Sequence, residues 1–139
     1  MPFSRLGLAL AFLLVLPIAA RAADPVLDLI DQPIAVAPDG TLPKEAEVRA
    51  AIVRACTARG WTPTQNADGT ITASIWVRAK HRAEVTISMT PTTYSIKYRA
   101  SENLDFNEER YRIHGNYNRW VMKLSQTINR EFGVRSQVY

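Results

Sequence analysis

Three stretches between Thr70 and Arg99 alternate apolar and polar side chains residue by residue. A period of two marks strands with one face in a core and the other in water. Ile71, Ala73, Ile75 and Val77 make the first dry row, Val85, Ile87 and Met89 the second, and Tyr94, Ile96 and Tyr98 the third. The opposite rows are Thr72, Ser74, Trp76 and Arg78, then Glu84, Thr86 and Ser88, then Ser95, Lys97 and Arg99, polar throughout except for Trp76. The intervening segments, Ala79 to Arg82 and Thr90 to Thr93, are too short for crossovers, so the strands are antiparallel neighbours in chain order.

Two helical patterns flank this sheet. The spacing predicts a first helix from Pro43 to Arg59, with Val48, Ala51, Ile52, Ala55 and Cys56 on one face and Glu45 and Glu47 at the positive end. Gly60 suits the left-handed position that closes a helix, with Trp61 folding back on the last turn. A second helix is predicted from Asn116, as N-cap, to Phe132, with Gly133 as its stop. Tyr117, Trp120, Val121, Leu124, Ile128 and Phe132 form its apolar stripe, and Arg119, Lys123 and Arg130 lie opposite. Trp61 to Gln65 reads as a short extra strand, reversed by Asn66-Ala67-Asp68-Gly69. The fold class expected is α+β: a two-layer domain in which an antiparallel meander of three or four strands carries an N-terminal and a C-terminal helix on its dry face.

The ends of the chain are less regular. Ala23 to Leu42 holds Pro25, Pro33, Pro38 and the Asp39-Gly40 pair, so it reads as an extended leader, with Pro33-Ile34-Ala35-Val36 as a short edge strand. Ser101 to Gly115 is the longest irregular stretch inside the domain, and loops of that length often have a function. Before the leader, Arg5 precedes an apolar run from Leu6 to Leu16, then Pro17 and Ala20-Arg21-Ala22. That order is a signal peptide cleaved after Ala22, since the run falls short of the roughly 20 apolar residues of a membrane span. The expected organisation is therefore a signal peptide over 1–22, a leader over 23–42, the domain over 43–133 and a tail over 134–139. The address is the periplasm, with secretion as the alternative.

Charge changes the picture only slightly. Without Arg5 and Arg21 the 17 basic residues fall to 15 against 13 acids, a net +2. The distribution is uneven, with six acids in residues 23–47 and eight basic residues against Asp68 and Glu84 in residues 48–101. A basic sheet face suits an anionic partner, but an ordinary solvated face is the simpler account, because polar outer faces are usual for half-buried antiparallel sheets. A net +2 and an exported address count against nucleic acid as the partner. Cys56 is the only cysteine, so no internal disulfide can form, and its place in an apolar arc makes it a buried hydrophobe rather than a nucleophile.

The ordered set Arg59-Gly60-Trp61, Gly69-Thr70-Ile71-x-Ala73, Ala83-x-Val85-x-Ile87, Tyr94-Ser95-Ile96-x-Tyr98, Ser101-x-Asn103-Leu104 and Ile113-His114-x-x-Tyr117-Asn118-x-Trp120 resembles a family of small exported or lipid-anchored proteobacterial proteins. The resemblance spans residues 42–132 and implies a helix, sheet, helix domain in a Gram-negative periplasm. That family has no assigned activity, so no catalytic residues come with it. Its lipid-attachment cysteine has no counterpart near the expected cleavage point.

Two candidate sites follow. Trp76, with Arg78, Lys97 and Arg99, forms an aromatic platform among basic and hydrogen-bonding groups, suited to stacking on a sugar or on a flat side chain of a partner. It is explained equally by a leader folded over it or by a slip that buries it. The second candidate is the loop and helix start, Asn103, Asp105, Glu109, His114 and Asn118, where a neutral imidazole near carboxylates could serve as a base. The structural alternative has Ser101 and Asn103 tying the loop and His114 and Asn118 holding the helix start. Asp105, Asn107 and Glu109 resemble the start of a calcium loop, but the glycine turn and the terminal glutamate are missing. Zinc is disfavoured by two histidines and one cysteine scattered over three elements. The sequence thus points to a non-enzymatic envelope protein, monomeric or weakly dimeric, without a cofactor, that binds an envelope protein or a small ligand. An envelope hydrolase working from the His114 loop, or a binder of an anionic polymer, stands as the alternative.

Overall fold

The computed structural model describes residues 23–133, so the expected signal peptide over 1–22 and the tail over 134–139 lie outside the described residues. In chain order the elements are β1 (Asp24–Pro25), β2 (Leu29–Pro33), α1 (Glu45–Ala58), β3 (Thr62–Gln65), β4 (Ile71–Val77), β5 (His81–Met89), β6 (Thr93–Glu102), β7 (Arg112–Ile113) and α2 (Gly115–Glu131). The fold is α+β. A five-stranded antiparallel sheet has the order β2-β6-β5-β4-β3, and β1 pairs with β7 in a second, two-stranded sheet.

The central meander follows from the alternation. Ile71, Ala73, Val85, Ile87, Tyr94 and Ile96 are all buried on one face, together with Ala83. Val48, Ile52, Ala55 and Cys56 of α1 and Tyr117, Val121, Leu124 and Ile128 of α2 close over that face in a single cluster. Gly60 (φ 79) and Trp61 end α1 as expected: the Gly60 N–H donates to the Thr57 carbonyl at 3.1 Å and the Trp61 N–H to the Cys56 carbonyl at 2.9 Å. Trp61 then packs into the core at 3% exposure, and β3 pairs with β4 from Thr62↔Ser74 to Gln65↔Ile71.

The leader departs from its expected form. It supplies a fifth strand, so the sheet exceeds the three or four expected, and the edge strand lies at Leu29–Pro33 rather than Pro33–Val36. Pairing with β6 is irregular, with a register shift between Leu29 and Gln32 where Asp31 takes φ 48. Side chains bridge the gap: the buried Ser95 hydroxyl accepts from the Asp31 N–H at 2.9 Å, and the Asp28 carboxylate accepts from the Tyr98 N–H at 2.9 Å. Asn118 of α2 fastens the same segment, accepting from the Leu27 N–H at 3.0 Å and donating to the Pro25 carbonyl at 2.9 Å. The expected leader is thus joined to the sheet and to α2.

Helix starts also differ. α1 begins at Glu45, with Lys44 as N-cap, whose N–H donates to the Glu47 carboxylate at 3.2 Å. α2 begins at Gly115, and its N-cap is His114 rather than Asn116. The His114 ring Nδ1 accepts from the Asn116 N–H at 3.1 Å, taking the role usually played by a serine or aspartate oxygen.

Candidate functional site

On the wet face of the sheet, Trp76 is 56% exposed, and both helices pack on the other side. Opposite it on β5 is Arg82, followed by Glu84 opposite Ser74 and Thr86 opposite Thr72. Thr86 in turn faces Lys97 on β6. A bulge follows: Glu84 faces Ala100 and Val85 faces Tyr98, so Arg99 is the extra residue. The bulge delivers the Arg99 guanidinium to Glu84, whose carboxylate is held by Arg82 at 3.0 Å on one oxygen and by Arg99 at 3.2 Å on the other. One carboxylate therefore offsets part of the charge of both arginines. Lys97 is exposed and makes no ion pair among the described residues.

The structure keeps Trp76, Lys97 and Arg99 on one surface and removes Arg78 from it. β4 ends at Val77, and Arg78 and Ala79 form a two-residue turn, both left-handed (φ 54 and 52), closed by the Lys80 N–H on the Val77 carbonyl at 3.2 Å. Two residues at positive φ are the mark of the tight hairpin turn that asparagine and glycine favour. Neither is present here, so sequence reasoning put Arg82 in the turn and missed it on the face. A regular period of two likewise cannot show the Glu84 clamp, because it depends on the bulge.

The loop candidate divides. Asn103, at φ 57, works as a clasp: its Nδ2 donates to the Lys80 carbonyl at 2.7 Å, and its carbonyl accepts from the His81 Nδ1 at 2.9 Å. Asn118 is engaged with the leader. Glu109 is exposed within the turn between Asn107 and Arg112, where the Asn107 side-chain oxygen accepts from the Arg110 N–H at 2.9 Å. Asp105 and His114 do meet, lining a cavity of about 340 Å³ with Asp24, Gly115, Asn116 and Arg119. Asp24 lies so close to Gly115 that a Cβ there would overlap its carboxylate, which places this acid at the positive end of α2. The His114 ring nitrogen nearest the helix is occupied as a cap acceptor, so the neutral ring carries its proton on Nε2. Among the described residues no cluster of three or more His, Cys, Asp or Glu side chains is arranged to hold a metal ion.

A cavity of about 610 Å³ lies elsewhere, between the leader and the helix ends, lined by Val36, Leu42, Pro43, Ala51, Arg54 and Phe132 among others. Cys56 is fully buried, and burial pushes its thiol up to about 12, which leaves it no nucleophilic role in the folded chain. Among the described residues no helix is long and apolar enough to cross a membrane. No family model, curated protein or solved structure matches the chain.

Proposed function

We propose that the protein is a non-enzymatic, exported cell-envelope binding module that engages an envelope protein or a small ligand through the open sheet face around Trp76, Lys97 and Arg99. The observation that carries this reading is the exposure of Trp76 on a flat face whose other side chains are hydroxyls and charges. A tryptophan that contributes little to the core is available for stacking, and the surrounding Thr72, Ser74, Thr86 and Lys97 supply hydrogen bonds. A periplasmic address rests on the apolar run and cleavage pattern of residues 1–22 and on the resemblance to exported proteobacterial proteins.

In-cell crosslinking of the tagged protein in its native envelope, read by mass spectrometry, tests the proposal. Partners captured by the parent chain and lost with Trp76→Ala support the face. A partner set unchanged by Trp76→Ala overturns it. The hydrolase alternative draws on one observation, the shared cavity of Asp105, His114 and Asp24. Against it stand the capping role of His114 and the separation of Glu109 from the cavity.

A further inference from the structure

A second cleft lies at the tip of the β4–β5 hairpin, on the side of the sheet that faces α2 and away from the side that exposes Trp76. Its walls are the hairpin tip, with Val77, Arg78 and His81, and α2, with Arg119, Trp120 and Lys123. The cavity measures about 240 Å³. On α2, Asn116, Arg119, Trp120 and Lys123 follow one another at i, i+3, i+4 and i+7, so helical spacing alone sets them on one stripe. The stripe borders the buried row of Tyr117, Val121 and Leu124, and its two cations, Arg119 and Lys123, are exposed at the mouth of the cleft.

Three cationic side chains thus converge on one small cavity, and none of the three makes an ion pair among the described residues. Among the described residues no acidic side chain lines this cavity; Asp24 and Asp105 line a neighbouring one, which shares Asn116 and Arg119 with it. Like charges gathered without a counter-charge repel one another, an arrangement that an anion relieves. The tip is also held in place at a cost. Arg78 and Ala79 both sit at positive φ, a conformation that residues with a Cβ adopt only when their surroundings hold them there. The Asn103 clasp on Lys80 and His81 secures it. The His81 Nδ1 donates to the Asn103 carbonyl, so the ring of His81 serves the clasp. The Asn116 side-chain oxygen meets the Arg119 guanidinium at 3.4 Å and orients it. A second, smaller cavity of about 220 Å³ shares Trp120 and Lys123 and extends the cleft toward Arg59 and Trp61.

We propose that this cleft binds a phosphate group, with Arg78, Arg119 and Lys123 as its charge partners. Three cations favour a dianion over a single carboxylate, and two guanidinium groups approaching from the hairpin and from the helix match the several oxygens of a tetrahedral anion. The volume accommodates the phosphate itself, and the continuation past Trp120 leaves room for the group to which it is esterified. The phosphate of a soluble ester and that of a lipid headgroup share this chemistry. The site is separate from the Trp76 face and does not depend on it.

The test uses the full chain and follows backbone amide NMR shifts during titration with inorganic phosphate and then glycerol phosphate. Saturable shifts confined to the hairpin tip and the first turns of α2 are expected, weakened at least tenfold by Arg78→Gly and by Arg119→Gln. Arg78→Gly is the decisive variant, because glycine relieves the left-handed turn while removing the guanidinium, so lost binding cannot be ascribed to lost folding. Sedimentation with phosphatidylglycerol vesicles, against phosphatidylcholine vesicles, separates the two sources. Binding to vesicles that is lost in the same two variants assigns a lipid headgroup, and binding only to the soluble ester assigns a soluble ligand. Failure of all probes to bind, or affinity that survives Arg78→Gly and Arg119→Gln, overturns the proposal.

Discussion

The Tyr111 hydroxyl donates to the Asp28 carboxylate at 2.6 Å, joining the loop before α2 to the leader before β2. The other carboxylate oxygen of Asp28 accepts from the Tyr98 N–H at 2.9 Å, so a side chain continues the β6 ladder where β2 has diverged. Tyr111 holds φ 50, a conformation that is costly for a bulky residue and is sustained by these contacts. Asp28→Ala removes both acceptors and is expected to lower unfolding free energy by about 2–3 kcal/mol. Asp28→Asn, which keeps one carbonyl acceptor, should lose less. Urea unfolding of the two variants measures the difference, and equal losses would show that charge rather than hydrogen bonding carries the contact.

Tyr117 presents the opposite situation. Its ring is fully buried between helix and sheet, edge-on to Tyr98 with ring centres 5.6 Å apart, yet its hydroxyl has no hydrogen-bond partner among the described residues. A buried hydroxyl without a partner costs free energy, so Tyr117→Phe is expected to leave stability unchanged or to raise it by up to about 1 kcal/mol. A loss of more than about 1 kcal/mol in thermal or urea unfolding would place a water at that hydroxyl.

Four groups hold their protons more tightly in the fold than in an unfolded chain. Burial is the leading cause for each: it raises Cys56 from 9.0 to about 12 and lifts Tyr94, Tyr111 and Tyr117 above their ordinary 10.0. For Tyr111 and Tyr117 the Asp28 charge adds to the effect. Above about pH 9 the unfolded chain sheds the Cys56 proton while the folded chain keeps it, so the free energy of unfolding falls as pH rises. The stabilisation is complete below that pH and is lost through the alkaline range, with the tyrosines joining above pH 10. The urea midpoint should therefore fall from pH 8.5 to 11 in roughly that window, and Cys56→Ala should flatten the first part of the decline. A midpoint that stays level to pH 11 contradicts the assignment.

The parts of this fold that were legible in the sequence are those in which periodicity and termini agree. Ile71, Ala73, Val85, Ile87 and Ile96 declare the dry face, and Gly60 and Trp61 declare the end of α1. The leader was illegible because its strand is held by side chains, Asp28 and Ser95 standing in for backbone pairs across an irregular register. Trp76 is exposed on the side of the sheet that a period of two assigns it. Arg78 leaves that side because a left-handed arginine-alanine turn, which has no signature of its own, ends the alternation. The cationic cleft needs the hairpin tip and α2 together, two segments about 40 residues apart whose meeting no local pattern encodes.

His114 decides between the structural and catalytic readings of its loop. As N-cap of α2 its Nδ1 accepts from the Asn116 N–H, while its own N–H donates to the Leu104 carbonyl at 2.8 Å. Alanine keeps the second bond and removes the first, so His114→Ala should cost about 1 kcal/mol, the usual worth of a capping side chain. Asparagine and aspartate offer an oxygen in place of the ring nitrogen, and both should restore most of that loss. A catalytic base behaves differently, since asparagine cannot take a proton at neutral pH. Thermal unfolding monitored by circular dichroism, together with a screen for ester and glycoside hydrolysis, separates the two. Under the structural reading, stability falls in His114→Ala, returns in His114→Asn, and no hydrolysis distinguishes the three proteins. A parent activity lost in both variants while His114→Asn remains fully stable would make the ring a catalytic group and revive the cavity it shares with Asp105 and Asp24 as an active site.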